Sequence, residues 1–245
     1  GCTTPARRAV SIGTSAAVRV IHSSIDPSLP AGLWRYRLDR RRFITGGALS
    51  NGGNLREWLL ATLRVVDEKI ETNLRRMVPG AHGLTFMPHL AGERGLGYAP
   101  RAFGAIAGLT LATKPEDIAR AGLEAIAVEL ARVNRRMDEV MPQAKLLVAS
   151  GTGLLHSSAW LQMVADATGH TIAPSHAKEA SARGAAIFAM ERLGLERAAR
   201  LNPGTGTKLK PRPSHASVYR QIEARQDALY RALVGDRILE INHSR

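Results

Sequence analysis

The period of the apolar positions changes along this chain, and each change marks an element. Residues 9–22 form two β-branched runs on either side of a small-residue turn at 13–17, the pattern of paired strands. Residues 26–32, with two prolines, read as a loop. Residues 33–38 alternate as a strand does, and 42–49 form another strand, punctuated by Gly46-Gly47 and followed by Gly52-Gly53. The spacing then shifts to three and four: Leu55, Trp58, Leu59 and Leu63 predict a helix over 54–63 with Asn54 as its cap. A second helix is expected over 67–77, stopped by Pro79-Gly80. Residues 84–90 read as a strand interrupted by Pro88, 91–100 as a glycine-rich loop, and 103–109 as a short apolar segment.

Thr113-Lys114-Pro115-Glu116-Asp117 is a helix start, with Thr113 as the expected cap and acidic residues near the positive end of the dipole. That helix runs to about residue 138 on an apolar face of Ile118, Ala121, Leu123, Ala125, Ile126, Leu130 and Val133. Residues 145–149 form a compact strand, followed by Ser150-Gly151-Thr152-Gly153, a helix over 157–168 and a short strand at 171–173. The helix expected over 179–193 would pack closely through Ala180, Ala182, Gly184, Ala185 and Ala186. A Gly/Pro/Lys connector (203–213) leads to an amphipathic helix at 218–233. The order of strands and helices argues for one α/β domain with a mixed sheet, and no boundary is apparent before residue 200.

Composition narrows the class. The 245 residues are 44% apolar but only 4% aromatic, so the core must rest on Ala, Leu, Val and Ile. The single cysteine, Cys2, excludes an internal disulfide framework, and no run of apolar residues has the length of a membrane span. These features point to a soluble cytoplasmic protein. The first residue is Gly rather than Met, as expected of a processed, trimmed or partial gene product. The net charge of +13 comes mainly from arginine and is densest at residues 35–42. No zinc spacing or RNA-binding aromatic pattern accompanies it, so nucleic acid is not the expected partner. The arginines read as scattered over solvated faces, or as balanced by an absent acidic partner segment.

Several short motifs could carry chemistry. Gly13, Thr14 and Ser15 lie in a strand-turn-strand unit whose amides and hydroxyls could approach an anion. Gly151, Thr152 and Gly153 follow a strand and precede a helix, where ligands meet α/β sheets. Each motif alone is equally an ordinary turn. His89 and Glu93 are four apart, but Pro88 and Gly92 argue against a helix there and no third metal ligand is evident. Cys2 is expected to be inert in a mobile end.

Taken in order, these segments resemble the carboxyl-terminal lobe of the FGGY carbohydrate kinases, in their gluconokinase branch. The likeness is carried by Gly1-Cys2-Thr3-Thr4-Pro5 with Gly13-Thr14-Ser15-Ala16-Ala17, and by Ala48-Leu49-Ser50-Asn51-Gly52-Gly53 with Trp58-Leu59. It continues in Pro88-His89-Leu90-Ala91-Gly92-Glu93-Arg94 with Gly104-Ala105-Ile106-Ala107-Gly108-Leu109, and in Ala149-Ser150-Gly151-Thr152-Gly153 with Trp160, Gln162, Asp166 and Gly169. Glu179-Ala180-Ser181-Ala182-Arg183-Gly184-Ala185-Ala186 closes the set.

The resemblance implies a ribonuclease-H-like lobe of the actin/hexokinase ATPase type, an α/β fold with a mixed central sheet flanked by helices. It implies residues 1–200 as the lobe, with 201–245 as a connector and helix of the same lobe. It implies ATP and Mg2+, a sugar or sugar-acid (gluconate-like) acceptor, and Gly13, Thr14 and Ser15 along the phosphates. Gly53 would lie near the nucleotide at a helix entrance, and Gly151, Thr152, Gly153 and Ser157 would surround the adenosine. The catalytic Asp of the family falls in a segment before Gly1, so no catalytic residue is assigned and the chain alone is expected to be inactive without its amino-terminal lobe. The alternative is a nucleotide-binding or subunit-interaction module without phosphotransfer, needing a partner chain; a homodimer is one such arrangement. Two departures stand out: Thr152 replaces a glycine, where a β-branched residue would tolerate positive φ poorly, and Gly122 replaces a larger residue, weakening its helix by about 1 kcal/mol relative to Ala.

Overall fold

The computed structural model describes residues 1–23, 28–65, 67–195 and 201–235. Part of the expected 26–32 loop and the last ten residues of the 201–245 segment lie outside these. Among the described residues, a six-stranded sheet has the order β3-β4-β2-β1-β7-β8. Its strands are β1 (Arg7–Ile12), β2 (Ala16–His22), β3 (Trp34–Arg37), β4 (Phe43–Leu49), β7 (Leu146–Ser150) and β8 (Ile172–Pro174). The first four pair antiparallel in the order β3-β4-β2-β1, so β2 neighbours β4 rather than β3, while β1 pairs parallel to β7 and β7 to β8. This is the ribonuclease-H-like arrangement. A two-stranded hairpin, β5 (Thr85–Pro88) with β6 (Gly104–Ala107), stands apart from the sheet.

Alternation fixes which face is covered. Val10, Ile12, Val18, Val20, Leu49, Leu147 and Ile172 point into one continuous core. Over that face lie α1 (Gly53–Leu63), α3 (Pro115–Val140) and α5 (Ser158–Thr168), with α2 (Asp67–Arg76) and α7 (Ala216–Tyr230) packed beside them. Arg7, Ala9, Ser11, Arg19 and Ile21 point to the other face, where they are only half-buried.

The sequence pattern gives α3 one apolar face, but the structure buries residues 119–131 on every side. The helix runs through the middle of the helical layer, so its charged residues had to find partners inside. Arg120 Nε donates to Glu124 at 2.6 Å, and Glu124 also accepts from the Gly80 amide and pairs with His82. Lys114, not Thr113, occupies the N-cap position; the Thr113 hydroxyl accepts from the Thr110 amide instead. At Gly122, the departure noted above has a packing reason: an added Cβ would lie 2.7 Å from Leu59 Cδ1, so the glycine sets the approach of α1 to α3.

Two further expectations are revised. The helix α6 (Ala180–Arg192) forms where the sequence places it, but none of its residues is buried. Its small side chains face outward rather than pack closely, and the tie made by Glu191 is to the Arg42 guanidinium. Cys2 is not in a loose end: it packs on Leu146, Val148 and Ala173, and burial pushes its thiol pKa up. Among the described residues, no helix is long and apolar enough to cross a membrane.

The arginine-rich stretch is largely occupied within the fold. Asp39 accepts from the Arg41 and Arg42 amides and from the Arg42 guanidinium. Arg37 lies over the Phe43 ring at 5.0 Å.

Candidate functional site

The turn between β1 and β2 is fastened to the start of α1. The Gly53 amide donates to the Gly13 carbonyl at 2.8 Å, and the Asn54 amide to the Thr14 carbonyl at 3.1 Å. A side chain at Gly53 is excluded, because its Cβ would lie 2.3 Å from that Gly13 oxygen. Asn54 is not the N-cap of α1; Gly52 is, and the Asn54 side chain accepts from the Gly52 and Leu55 amides.

The turn after β7 reaches the same place. Gly151 has φ +89°, and a Cβ there would meet the Ile12 carbonyl at 2.3 Å. Gly153 would meet the same oxygen at 3.2 Å and Gly53 Cα at 3.5 Å. Gly13, Gly53, Gly151 and Gly153, spread over 140 residues of sequence, therefore form one corner at the carboxyl ends of β1 and β7. Glycine is required where backbones approach this closely. Thr152 adds no strain: it opens the short helix α4 (Thr152–Leu155), and only Gly151 carries the positive φ.

The two sides of the corner differ chemically. The Gly53 amide is spent on Gly13, so this residue contributes close approach rather than a free donor. Thr14 is exposed, and among the described residues the Thr14 and Ser15 hydroxyls and amides make no hydrogen bond. Space within 4 Å is open beside Gly13. Exposed amides and hydroxyls around an open turn suit an oxyanion.

Ser157 is engaged elsewhere. It caps α5 by accepting from the Trp160 amide at 3.0 Å, and its hydroxyl donates to Glu71 at 2.6 Å. Glu71 also accepts from the Ser158 hydroxyl and the Ala159 amide. Burial acts to raise the Glu71 pKa, but these donors outweigh it and hold the carboxyl below its usual value. The α2 carboxylate thus occupies the positive end of α5. No sequence signal links Glu71 to a serine 86 residues away.

A second connection was equally hidden. The buried Asn51 side chain donates to the Gly92 carbonyl at 3.1 Å and accepts from the Ala91 amide at 3.0 Å. It clamps the 91–100 loop to the entrance of α1. Within that loop Glu93 accepts from the Gly97 amide at 2.5 Å and from the Tyr230 hydroxyl at 2.8 Å. His89 packs edge-on against Tyr230. A small cavity lies between His89, Glu93, Asn51 and the buried Glu129. Burial lowers the His89 pKa to about 4 and raises that of Glu129 to about 7. These groups knit loop to helix; among the described residues no cluster of three His, Cys, Asp or Glu could hold a metal.

The sheet order and the corner at its carboxyl edge define a lobe of the actin/hexokinase-type ATPase fold. Residues 8–192 match the model of the FGGY family of carbohydrate kinases, C-terminal domain. The chain belongs to that family. It is 31% identical over 200 residues to a gluconokinase of Bacillus licheniformis, covering 76% of this chain and 39% of that protein. It is 29% identical over 202 residues to a glycerol kinase of Citrifermentans bemidjiense, covering 77% and 39%. A gluconate kinase structure from Lactobacillus acidophilus superposes with a TM-score of 0.82 at 25% identity, over 95% of this chain and 48% of that one. The chain therefore spans less than half the length of these relatives.

Proposed function

We propose that this chain is the nucleotide-side lobe of an ATP-dependent kinase that transfers the γ-phosphate to a hydroxyl of a sugar or sugar acid, with a gluconate-like acceptor. The observation that carries the reading is the convergence of the turns at Gly13 and Gly151 on one corner beside Gly53. Phosphoryl transfer depends on positioning and charge stabilisation, which exposed amides and hydroxyls supply. In this reading Thr14 and Ser15 hold phosphate oxygens, and Gly13, Gly53, Gly151, Thr152 and Gly153 let the nucleotide approach. Ser157 acts at one remove, by fixing the start of α5. Magnesium would arrive bound by the nucleotide's phosphate oxygens and offset their charge. The similarity to the Bacillus gluconokinase supports the acceptor class.

The reaction also needs a base within hydrogen-bond reach of the acceptor hydroxyl. Among the described residues no carboxylate or histidine stands at the corner, so the reading assigns the base to the part of the relatives that this chain does not span. In this reading residues 201–235 are part of the same lobe; the support is that Asp166 on α5 holds Arg212 and His215 and that Gln226 on α7 donates to the Phe86 carbonyl. The protein is placed in the cytoplasm, where its substrate ATP is maintained.

Titration calorimetry tests the reading. The purified chain should bind MgATP, Thr14→Val should weaken that binding, and gluconate should elicit no ADP release from the chain alone. Absence of ATP binding overturns the reading. Gluconate-dependent ADP release would overturn the assignment of the base. A second reading, a nucleotide-binding or subunit-interaction module without phosphotransfer, is favoured by the lack of any buried residue in α6. It predicts ATP binding together with self-association in light scattering.

A further inference from the structure

Arg19 is in the middle of β2, between the core residues Val18 and Val20, so alternation sends its side chain to the less covered face of the sheet. There its guanidinium is half-buried and donates to Ser11 Oγ at 2.8 Å. Ser11 lies two residues before Gly13 and pairs in register with Ser150, just before Gly151. Arg19 is thus tied to the strand that feeds the glycine corner.

A second arginine reaches the same face. Asn51 clamps Ala91 and Gly92 onto the end of β4, and Gly95 sits against it so closely that a Cβ would lie 3.0 Å from the Ala48 carbonyl. Ala48 is paired with Ala17, two residues from Arg19 on the same face. Arg94 is exposed between these two anchored points, within electrostatic reach of Arg19. Its charge acts on Arg19: burial lowers the Arg19 pKa first, and Arg94 lowers it further. The adjacent acid cannot neutralise Arg94, because Glu93 is buried on the Gly97 amide and the Tyr230 hydroxyl. Among the described residues, neither arginine has a carboxylate partner, whereas the buried Arg8 and Arg120 and the half-buried Arg42 and Arg132 each pair with one.

Two cations held together, one of them partly desolvated, cost stability unless an anion joins them. We propose that Arg19 and Arg94 form an oxyanion-binding site on this face of the sheet, taking a carboxylate or phosphoryl group of a ligand that extends from the glycine corner. The two ligand sources share this chemistry: the carboxylate of a sugar acid, and a phosphate of the nucleotide. A guanidinium pair suits either, because its N–H groups form charge-assisted and bidentate hydrogen bonds. The inference rests on the kinase reading only in the choice of probes.

The test is titration calorimetry on the purified chain with MgATP, sodium gluconate and the neutral polyol xylitol, repeated on Arg19→Met, Arg94→Met and the Thr14→Val turn variant. At least one anion should bind, and both arginine variants should lose about tenfold or more of its affinity, as expected for a charged hydrogen-bonding group. Loss confined to gluconate identifies the sugar acid as the ligand, and loss of MgATP binding identifies the phosphate. Because the pair is repulsive when empty, Arg94→Met should melt no lower than wild type without ligand, whereas a purely structural arginine would lower the melting temperature. Wild-type affinity in both arginine variants, or no binding of either anion, overturns the site. ATP binding that is lost in Thr14→Val but intact in the arginine variants would sink this proposal and leave the kinase reading standing. Arginine-dependent gluconate binding without ATP binding would do the reverse.

Discussion

The Gly53 amide donates to the Gly13 carbonyl at 2.8 Å, and the missing Gly53 side chain is what allows it. One hydrogen bond thereby joins the β1–β2 turn to the first residue of α1. With Gly151 pressing on the preceding carbonyl from the other side, three separate segments share a single corner.

Gly53→Ala should open that corner. Its Cβ would lie 2.3 Å from backbone rather than from a side chain that could turn away. We expect a loss of roughly 1–3 kcal/mol, the range for overpacking, read as a lower urea midpoint with unchanged slope. A wild-type midpoint would show that the contact is looser than described.

Gly122→Ala separates helix propensity from packing. Propensity alone predicts a gain of about 1 kcal/mol. The 2.7 Å approach of a new Cβ to Leu59 predicts no gain, or a loss. Leu59→Ala alone should destabilise by emptying a core position. In the double variant the two changes should couple favourably, by about 0.5 kcal/mol or more, because each relieves the other. Additive effects in denaturant unfolding would count against the packing account.

Glu129 and His89 line the same cavity and bias stability in opposite directions with pH. The Glu129 carboxyl rises from 4.5 to about 7 in the fold through burial, so its contribution is complete below pH 4.5 and fades as pH climbs to 7. The imidazole of His89 falls from 6.5 to about 4, again through burial, so its contribution is complete above 6.5 and fades as pH drops to 4. Each effect is on the order of 3 kcal/mol. Relative to wild type, Glu129→Gln should gain stability as pH rises from 5 to 7, and His89→Phe should gain as pH falls from 6.5 to 4.5. Unfolding curves at these pH values check both, and pH-independent differences would refute the assignment.

Asp166 has a fully buried side chain and accepts from Arg212 Nη2 at 2.6 Å, while His215 pairs with the same oxygen at 3.0 Å. Asp166→Ala should release the segment ahead of α7. Arg212 is half-exposed and can turn to water, so the cost is set at about 1–3 kcal/mol, below that of breaking a fully buried pair. Hydrogen exchange should quicken over residues 204–215 and leave β1 and β7 protected. Uniform acceleration would mean that the clasp holds the whole lobe.

Much of the fold is legible in the sequence because it is written in local period and punctuation. Alternation around 13–17 gives the β1–β2 hairpin, the three-and-four spacing of Leu55, Leu59 and Leu63 gives α1, and Thr113-Lys114-Pro115-Glu116-Asp117 gives the start of α3, though with the cap one residue too early. The ordered glycine motifs mark the family. Pattern alone misleads where tertiary position overrides it. It gave α3 one apolar face, yet residues 119–131 are buried on every side and the Arg120–Glu124 pair is internal. It gave α6 a packed face, yet those alanines are exposed.

What the sequence by itself determined is the set of elements, their order and the glycines that the corner would need, because each follows from dihedral freedom and hydrophobic period within a few residues. Only the tertiary structure decided that Gly13, Gly53 and Gly151 meet, that Ser157 is committed to Glu71, and that the charge of Arg94 acts on Arg19. Those facts depend on strand order and on contacts between residues tens of positions apart, and no local signal encodes such distances.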